Sequence, residues 1–516
     1  MHHLKNLVIH PLLIAAYPVL ALLAYNIEEV EAGTAIRALA LCLAAATLLY
    51  WICRWIIRDR DKAGLVISIT LILFFSYGHV YAAIERLNSS GMPLGRHRLL
   101  IPLFVIGWAL LIWWILRRKG TLRLVTQTFN LIAAIALLFP LVSLGAYLVN
   151  VSDSPIAAAN SQFQAQSQEE MITNQGEKPD IYYIILDGYS RDDALLEHFE
   201  YDNTGFLIEL EALDFFVARC SQSNYAHTQL SIASSLNMDF VQALDPDYND
   251  PNNQSRANLP VFIHNSTARA FLSRLGYQSV SFDSGFFWTS IDDADVYLEP
   301  GGRSAKYFGI LSGTNDFEDM LLKTSGGLFL TDASVKIPEF LNIENSRRRI
   351  HRQRVLFTLD QLTQIPDLPG HKFVFAHIVS PHAPFVFGPE GEVVPADIDT
   401  QEGYRNQVIF LNSQIIPVLK QIIKKSDPPP IIILQADHGG SDLDPTNRMR
   451  ILNAYYLPGS GDHQLYDSIS PVNSFRLIFN QYFNAGYPLL TDTSYYSSYK
   501  RPYDFTILPE TGEGCK

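Results

Sequence analysis

Residues 181–189 read IYYIILDGY and residues 429–440 read PPIIILQADHGG, two short apolar runs that each end in an acidic residue, Asp187 and Asp437. Runs of this length, rich in Ile and Tyr and bounded by Pro, Gly and Asp, read as apolar β-strands. Two similar runs, YQSVSFDSG (277–285) and KFVFAHIV (372–379), lie between them, with amphipathic stretches such as NQVIFLNSQIIPVLKQIIKK (406–425) interposed. The alternation predicts an α/β domain over residues 179–516 with a largely parallel central sheet. Ligands of such sheets gather beyond the carboxyl ends of the strands. One Asp there is a turn former or a helix cap. Two strands ending in Asp, the second followed by His438, point instead to a divalent-metal site.

Upstream of this domain the composition changes. Hydrophobic residues make up 48% of the 516-residue chain, and five of the six tryptophans (Trp51, Trp55, Trp108, Trp113 and Trp114) fall within residues 1–150. Apolar runs at 7–26, 38–57, 64–84, 99–116 and 128–149 each approach the ~20 residues that carry a helix across a bilayer, so this region is expected to be a helical membrane domain of five spans. Arg54, Arg58, Arg60 and Lys62 follow the second run and Arg117, Arg118, Lys119 and Arg123 the fourth, whereas the first loop, NIEEVEAGT, is acidic. Basic loops stay cytoplasmic, which places the N-terminus inside and everything beyond residue 150 outside; Arg86, Arg96 and Arg98 in the third loop run against this scheme. Four further spans follow the first without a small-residue cleavage site, so it reads as an anchor and not as a signal peptide. Among ionisable groups in or beside the spans, Arg37 and Arg54 are expected to snorkel, and His10 and His79 have no partner visible in sequence.

Residues 151–178, rich in Ser, Gln, Asn and Glu, read as a polar linker. The net charge of −13 argues against a nucleic-acid partner, which would need a basic stripe. Cys42 and Cys53 fall in a span. Cys220 and Cys515 are left as the one pair that could bridge in an oxidising compartment, although nothing in the pattern calls for a disulfide framework.

The motifs ILDGYSR (185–191), AHTQLSIASSLNM (226–238), HIVSPHAPF (377–385) and QADHGG (435–440), in this order behind a multi-span anchor, resemble the alkaline phosphatase and sulfatase superfamily. In layout the chain is similar to its membrane-anchored phosphoethanolamine and phosphoglycerol transferases, including the lipoteichoic acid synthases. The resemblance covers roughly residues 179–460. It implies an alkaline phosphatase-like fold, with Asp187, Asp437 and His438 as ligands of a Zn²⁺ or Mn²⁺ ion and Thr228 as a nucleophile that also touches the metal. It implies as well that His377 and His382 flank the substrate phosphate, one suited to protonate a leaving alkoxide and one to bind a second metal, with the order between them open. Ser231, Ser234 and Ser235 are fallback nucleophiles. Asn224, His227, Arg303 and Arg450 are weaker candidates for anion contacts.

The C/S-x-P-x-R motif that sulfatases convert to formylglycine does not occur, Gly188 stands where sulfatases have a second Asp, and His438 where they commonly have Asn. These departures favour phosphoryl transfer. Asp187 stands where the transferases usually carry Glu, which points the other way. The expected activity is transfer of a phosphoryl group from a membrane-lipid head group to an envelope glycan or lipid through Thr228. The alternatives are a phosphodiesterase or sulfuric ester hydrolase on the same site, and a catalytically inactive envelope assembly protein. Retention of all four ligands speaks against the last.

Overall fold

The computed structural model describes residues 7–87, 97–152, 178–301, 315–331, 343–459, 461–509 and 515. Most of the linker and Arg303 and Arg96 lie outside them. The chain forms two compact units, 1–152 with 303–347, and 153–302 with 348–516.

Among the described residues, the N-terminal part of the first unit carries a helix at each of the five apolar runs: α1 (His10–Tyr25), α2 (Ala35–Ile57), α3 (Arg60–Leu87), α4 (His97–Arg117) and α5 (Arg123–Ser152). Among the described residues, four helices are long and apolar enough to cross a membrane. α1, with 16 residues, falls short of the usual ~20, so five spans are not established. Large apolar side chains such as Trp55, Leu124 and Phe139 stand exposed on these helices, an arrangement that water penalises and hydrocarbon does not. His10 is buried with Nδ1 2.5 Å from Ser68 Oγ.

Residues 315–331 and 343–347 belong to this unit as well, although they come from the stretch that sequence reading assigns to the C-terminal domain. The helix Asp316–Lys323 opens with a capping box between Asn315 and Glu318, which satisfies two otherwise orphaned amides. Asn315 Nδ2 also donates to Thr34 O at 2.9 Å. Glu318 Oε1 accepts from Arg37 Nε at 2.6 Å. Arg37 therefore does not snorkel: its partner lies 281 residues along the chain, beyond the reach of any local pattern.

Among the described residues, the second unit carries nine strands: β1 (Ile181–Leu186), β2 (Phe216–Val217), β3 (Gln278–Phe282), β4 (Val296–Leu298), β5 (Lys372–Ile378), β6 (Ile431–Gln435), β7 (Asn453–Tyr456), β8 (Ser494–Ser498) and β9 (Arg501–Leu508). The first seven form one sheet in the order β2-β7-β6-β1-β5-β3-β4, and β8 and β9 form a separate hairpin. From β6 to β4 every pairing is parallel; β7 pairs antiparallel with both β6 and β2. The sheet is thus mixed and mostly parallel. β1 is central and buried at all six positions, which explains why IYYIIL shows no apolar–polar alternation. Tyr182, Ile184 and Leu186 join one core with the helix Thr400–Lys425, and Ile181, Tyr183 and Ile185 join the opposite core with the helices Thr228–Asn237 and Pro471–Phe483. Each such fully buried side chain contributes about 1.5–3 kcal/mol. Cys220 and Cys515 form a disulfide across 295 residues, closing the pair that spacing alone did not require.

Candidate active site

Register brings the acidic strand ends together. Ile185 of β1 pairs with His377 of β5 on one side and Gln435 of β6 on the other. Asp187 and Asp437 each follow two residues later, so both carboxylates reach the same level of the sheet edge, and both are buried. Gly188 then turns back with φ +73°, and its N–H donates to Asp437 Oδ1 at 3.0 Å. That left-handed conformation strains any residue with a Cβ, which accounts for the glycine after Asp187.

Two histidines enter the same pocket of charge. His438 Nδ1–H donates to Gly439 O at 2.8 Å, which leaves the lone pair on Nε2. That nitrogen lies 3.4 Å from Asp437 Oδ2, 3.8 Å from Asp187 Oδ1 and 3.2 Å from Thr228 Oγ1. His377 Nε2 lies 3.3 Å from Asp187 Oδ2, and its Nδ1 is 2.9 Å from Thr289 Oγ1. His382 stands further out and half-buried, its ring 6.3 Å from that of His438, with Nδ1–H on Ala383 O at 2.7 Å. Its backbone N–H donates to Asp187 O at 3.0 Å.

Burial opposes ionisation of Asp187, but His382, His377 and His438 outweigh it and hold the carboxyl well below the usual carboxylate range. Burial lowers the pKa of His438, against the pull of Asp437, and so favours the neutral imidazole that a metal requires.

Thr228 is the first residue of the helix Thr228–Asn237. The first turn-closing bond there runs from Ser231 N to His227 O at 2.9 Å, so the amides before it lack intrahelical acceptors and favour an anion beside them. Tyr183 anchors this helix to the sheet: its hydroxyl donates to Gln435 Oε1 at 2.8 Å and lies 2.8 Å from Ser235 Oγ. The fallback serines are committed elsewhere. Ser231 meets Ser223 Oγ at 3.2 Å, Ser234 donates to Asp239 O at 2.7 Å, and Ser235 to Pro471 O at 3.2 Å.

The buried atoms Asp187 Oδ1, Asp437 Oδ2 and His377 Nε2 have no hydrogen-bond partner among the described residues, and ligand atoms of these three residues lie within 4.8 Å of one another. Two buried carboxylates side by side cost several kcal/mol unless a cation neutralises them. With His438 Nε2 and the Thr228 hydroxyl adjoining, the donor set of oxygen and imidazole nitrogen fits a divalent ion such as Zn²⁺ or Mn²⁺. His377, one of the two histidines expected at the substrate phosphate or a second metal, lies against Asp187.

The weaker candidates do not converge on the site in the same way. Asn224 is spent on Ser470 Oγ, Thr493 O and Val472 N. His227 donates to Ser497 O at 2.9 Å, and burial pushes its pKa down to about 4, leaving it neutral. Arg450 is paired with Glu197 at 3.1 Å and Asp193 at 3.5 Å. Two residues that sequence reasoning passed over do converge: Thr289, in the loop after β3, and Arg448, in the short helix Pro445–Arg448. Neither carries a sequence signal beyond its residue type.

Thr289 is fully buried and holds the ring of His377 by the nitrogen that faces away from Asp187. Groups that orient a metal-ligating histidine are worth about 10–100-fold in metal affinity. Thr289→Val, which keeps the shape and removes the hydroxyl, is expected to weaken metal binding by about that factor in chelator competition, with Thr289→Ser close to wild type.

No family model matches the chain, and no curated protein does. Among solved structures, the chain is similar to the C-terminal periplasmic domain of EptC from Escherichia coli in complex with Zn, at 11% identity and a TM-score of 0.40, over 64% of this chain and 93% of that one. It is similar to the integral membrane lipooligosaccharide phosphoethanolamine transferase A (EptA) from Neisseria meningitidis, at 11% identity and a TM-score of 0.37, over 91% of this chain and 93% of that one. A protein of the alkaline phosphatase superfamily from Vibrio parahaemolyticus is similar at 12% identity and a TM-score of 0.37, over 65% of this chain and 76% of that one. At these scores the likenesses are distant.

Proposed function

We propose that this chain is a membrane-bound, metal-dependent phosphoryl-group transferase that moves a substituted phosphoryl group from a membrane-lipid head group to an envelope glycan or lipid, by way of Thr228. The observation that carries this reading is the cluster of buried, unpartnered ligand atoms on Asp187, His377 and Asp437 beside a hydroxyl at a helix N-terminus. Asp187, Asp437, His438 and Thr228 would hold the ion, with His377 against it. A divalent ion bound there supplies charge for a nonbridging phosphoryl oxygen and lowers the pKa of the Thr228 hydroxyl.

In the first step Thr228 Oγ1, its proton already released to solvent, attacks phosphorus as the alkoxide. The Oγ1–P bond forms, the P–O bond to the lipid breaks, and the leaving oxygen takes a proton. We assign that donation to His382, which is half-exposed and stands outside the Asp187, His377 and Asp437 cluster. In the second step an acceptor hydroxyl gives its proton back to His382 and displaces Thr228 from phosphorus; water in that role would make the reaction a hydrolysis. In this reading α1 to α5 are five spans, the N-terminus is cytoplasmic, and residues 179–302 and 348–516 work outside the cell membrane, where the Cys220–Cys515 disulfide is compatible with an oxidising compartment.

The test is intact-protein mass spectrometry of the detergent-purified protein after incubation with phosphoglycerolipid donors. A donor-derived phosphoryl adduct that maps to Thr228 is expected. Turnover of a phosphodiester donor with no adduct under rapid quench would sink the covalent route.

A further inference from the structure

Arg448 shares a contact atom, His438 Nε2, with the Thr228 hydroxyl, and its surroundings differ from those of Arg450 and Arg191. Arg450, two residues on, is neutralised by Glu197 and Asp193, and Arg191 by Asp193 at 2.7 Å. Among the described residues, no carboxylate lies within ion-pair distance of Arg448. Its guanidinium is instead fastened by Nε to Ala226 O at 2.8 Å, on the turn that leads into Thr228. Nη2 lies 3.4 Å from His438 Nε2, the same nitrogen that Thr228 Oγ1 approaches at 3.2 Å.

That convergence is unstable by count. His438 Nδ1 carries the proton donated to Gly439 O, so Nε2 offers a single lone pair to two donors. Were a divalent ion to take the lone pair, the Nη2–H of Arg448 would lose this acceptor, beside the nitrogen that Thr228 Oγ1 also approaches. The Nε bond fixes the plane of the guanidinium, so its remaining N–H groups have a set direction. A planar, permanently charged fork of N–H donors matches a tetrahedral oxyanion better than any neutral protein group.

We infer that Arg448 is a catalytic residue of this site, binding a nonbridging oxygen of the phosphoryl group before and after its transfer to Thr228. The inference rests on the phosphoryl-transfer reading above and adds its oxyanion subsite. Charge that gathers on the phosphoryl oxygens as the Thr228–phosphorus bond forms strengthens the contact, so the residue contributes to the rate and not only to binding.

The experiment uses the full-length, metal-loaded protein in detergent and inorganic phosphate as the probe, read by equilibrium binding and by inhibition of phosphodiester turnover. Arg448→Gln is expected to retain bound metal, to weaken phosphate binding about 10–100-fold and to lower kcat more than it raises KM. Arg448→Lys, a point charge without the fork, is expected to recover part of both. Phosphate affinity within twofold of wild type in a metal-loaded Arg448→Gln protein would overturn the assignment. Should that variant lose metal, Arg448→Lys decides: weaker phosphate binding with metal intact supports the assignment, and wild-type affinity overturns it. Failure of the underlying reading looks different, because there the wild type itself, loaded with metal, binds no phosphate and forms no adduct on Thr228.

Discussion

Thr228→Ala is expected to retain bound metal and fold while turnover drops on the order of 10⁴-fold, the scale seen when a nucleophile is removed from a site whose other groups remain. The expectation follows from how the hydroxyl is placed. Thr228 opens its helix, and nothing in the helix depends on its side chain: its Oγ1 contact is with His438 Nε2 at 3.2 Å. The fold around it is held by other groups, chiefly Tyr183 against Ser235 and Gln435, so truncation leaves the scaffold intact. The neighbouring serines cannot stand in, since Ser231, Ser234 and Ser235 are buried and engaged away from the carboxylates. Thr228→Ser keeps the nucleophilic oxygen and is expected to retain measurable activity with an adduct on the same position. Steady-state turnover together with adduct mapping checks both variants. Full activity in Thr228→Ala would remove the nucleophile assignment while leaving the metal cluster untouched.

Asp437→Ala combined with His438→Ala is expected to empty the site. Elemental analysis of the purified wild type should find stoichiometric divalent metal and that of the double variant only background, with phosphodiester turnover down by more than about 10³-fold. Asp437 is more than a ligand candidate, because its Oδ1 also accepts from Gly188 N and so ties the ends of β1 and β6 together. Losing it removes a negative charge and frees that amide. His438 supplies a preset lone pair, oriented by Gly439 O. The remaining Asp187 and His377 are only two donors, fewer than the three or four protein ligands of a stable site. A wild type without metal and without turnover on phosphodiesters or sulfate esters would end the enzyme reading and leave a membrane-anchored binding protein. Metal retained by the double variant would relocate the ion to Asp187, His377 and further groups.

Much of this architecture was legible because it is local. A run such as IYYIIL is apolar at every position because β1 is central and covered on both faces. The change of composition near residue 150 separates the helices from the sheet. Asp187, Asp437 and His438 follow strands and Thr228 begins a helix, so each sits at a junction where the pattern of hydrophobicity changes. Other features left no such trace. The antiparallel pairing of β7 cannot be seen in a four-residue strand. The segment 315–331 is read from its position in the chain as part of the sheet domain, yet it groups with the helices of the first unit.

By itself, then, the sequence determined the elements and the residue types at their ends, because periodicity, turn formers and caps act within a few residues. The tertiary structure alone decided which of those ends meet. Strand register set Asp187 beside Asp437, and a crossover of nearly two hundred residues brought His377 of β5 against Asp187. Thr289 was placed behind His377, Arg448 over the turn that leads into Thr228, Arg37 against Glu318 and Cys220 on Cys515. These partners are separated by 88 to 295 residues. Contacts at such separations are selected by burial and charge pairing in the folded chain, and no short-range pattern encodes them.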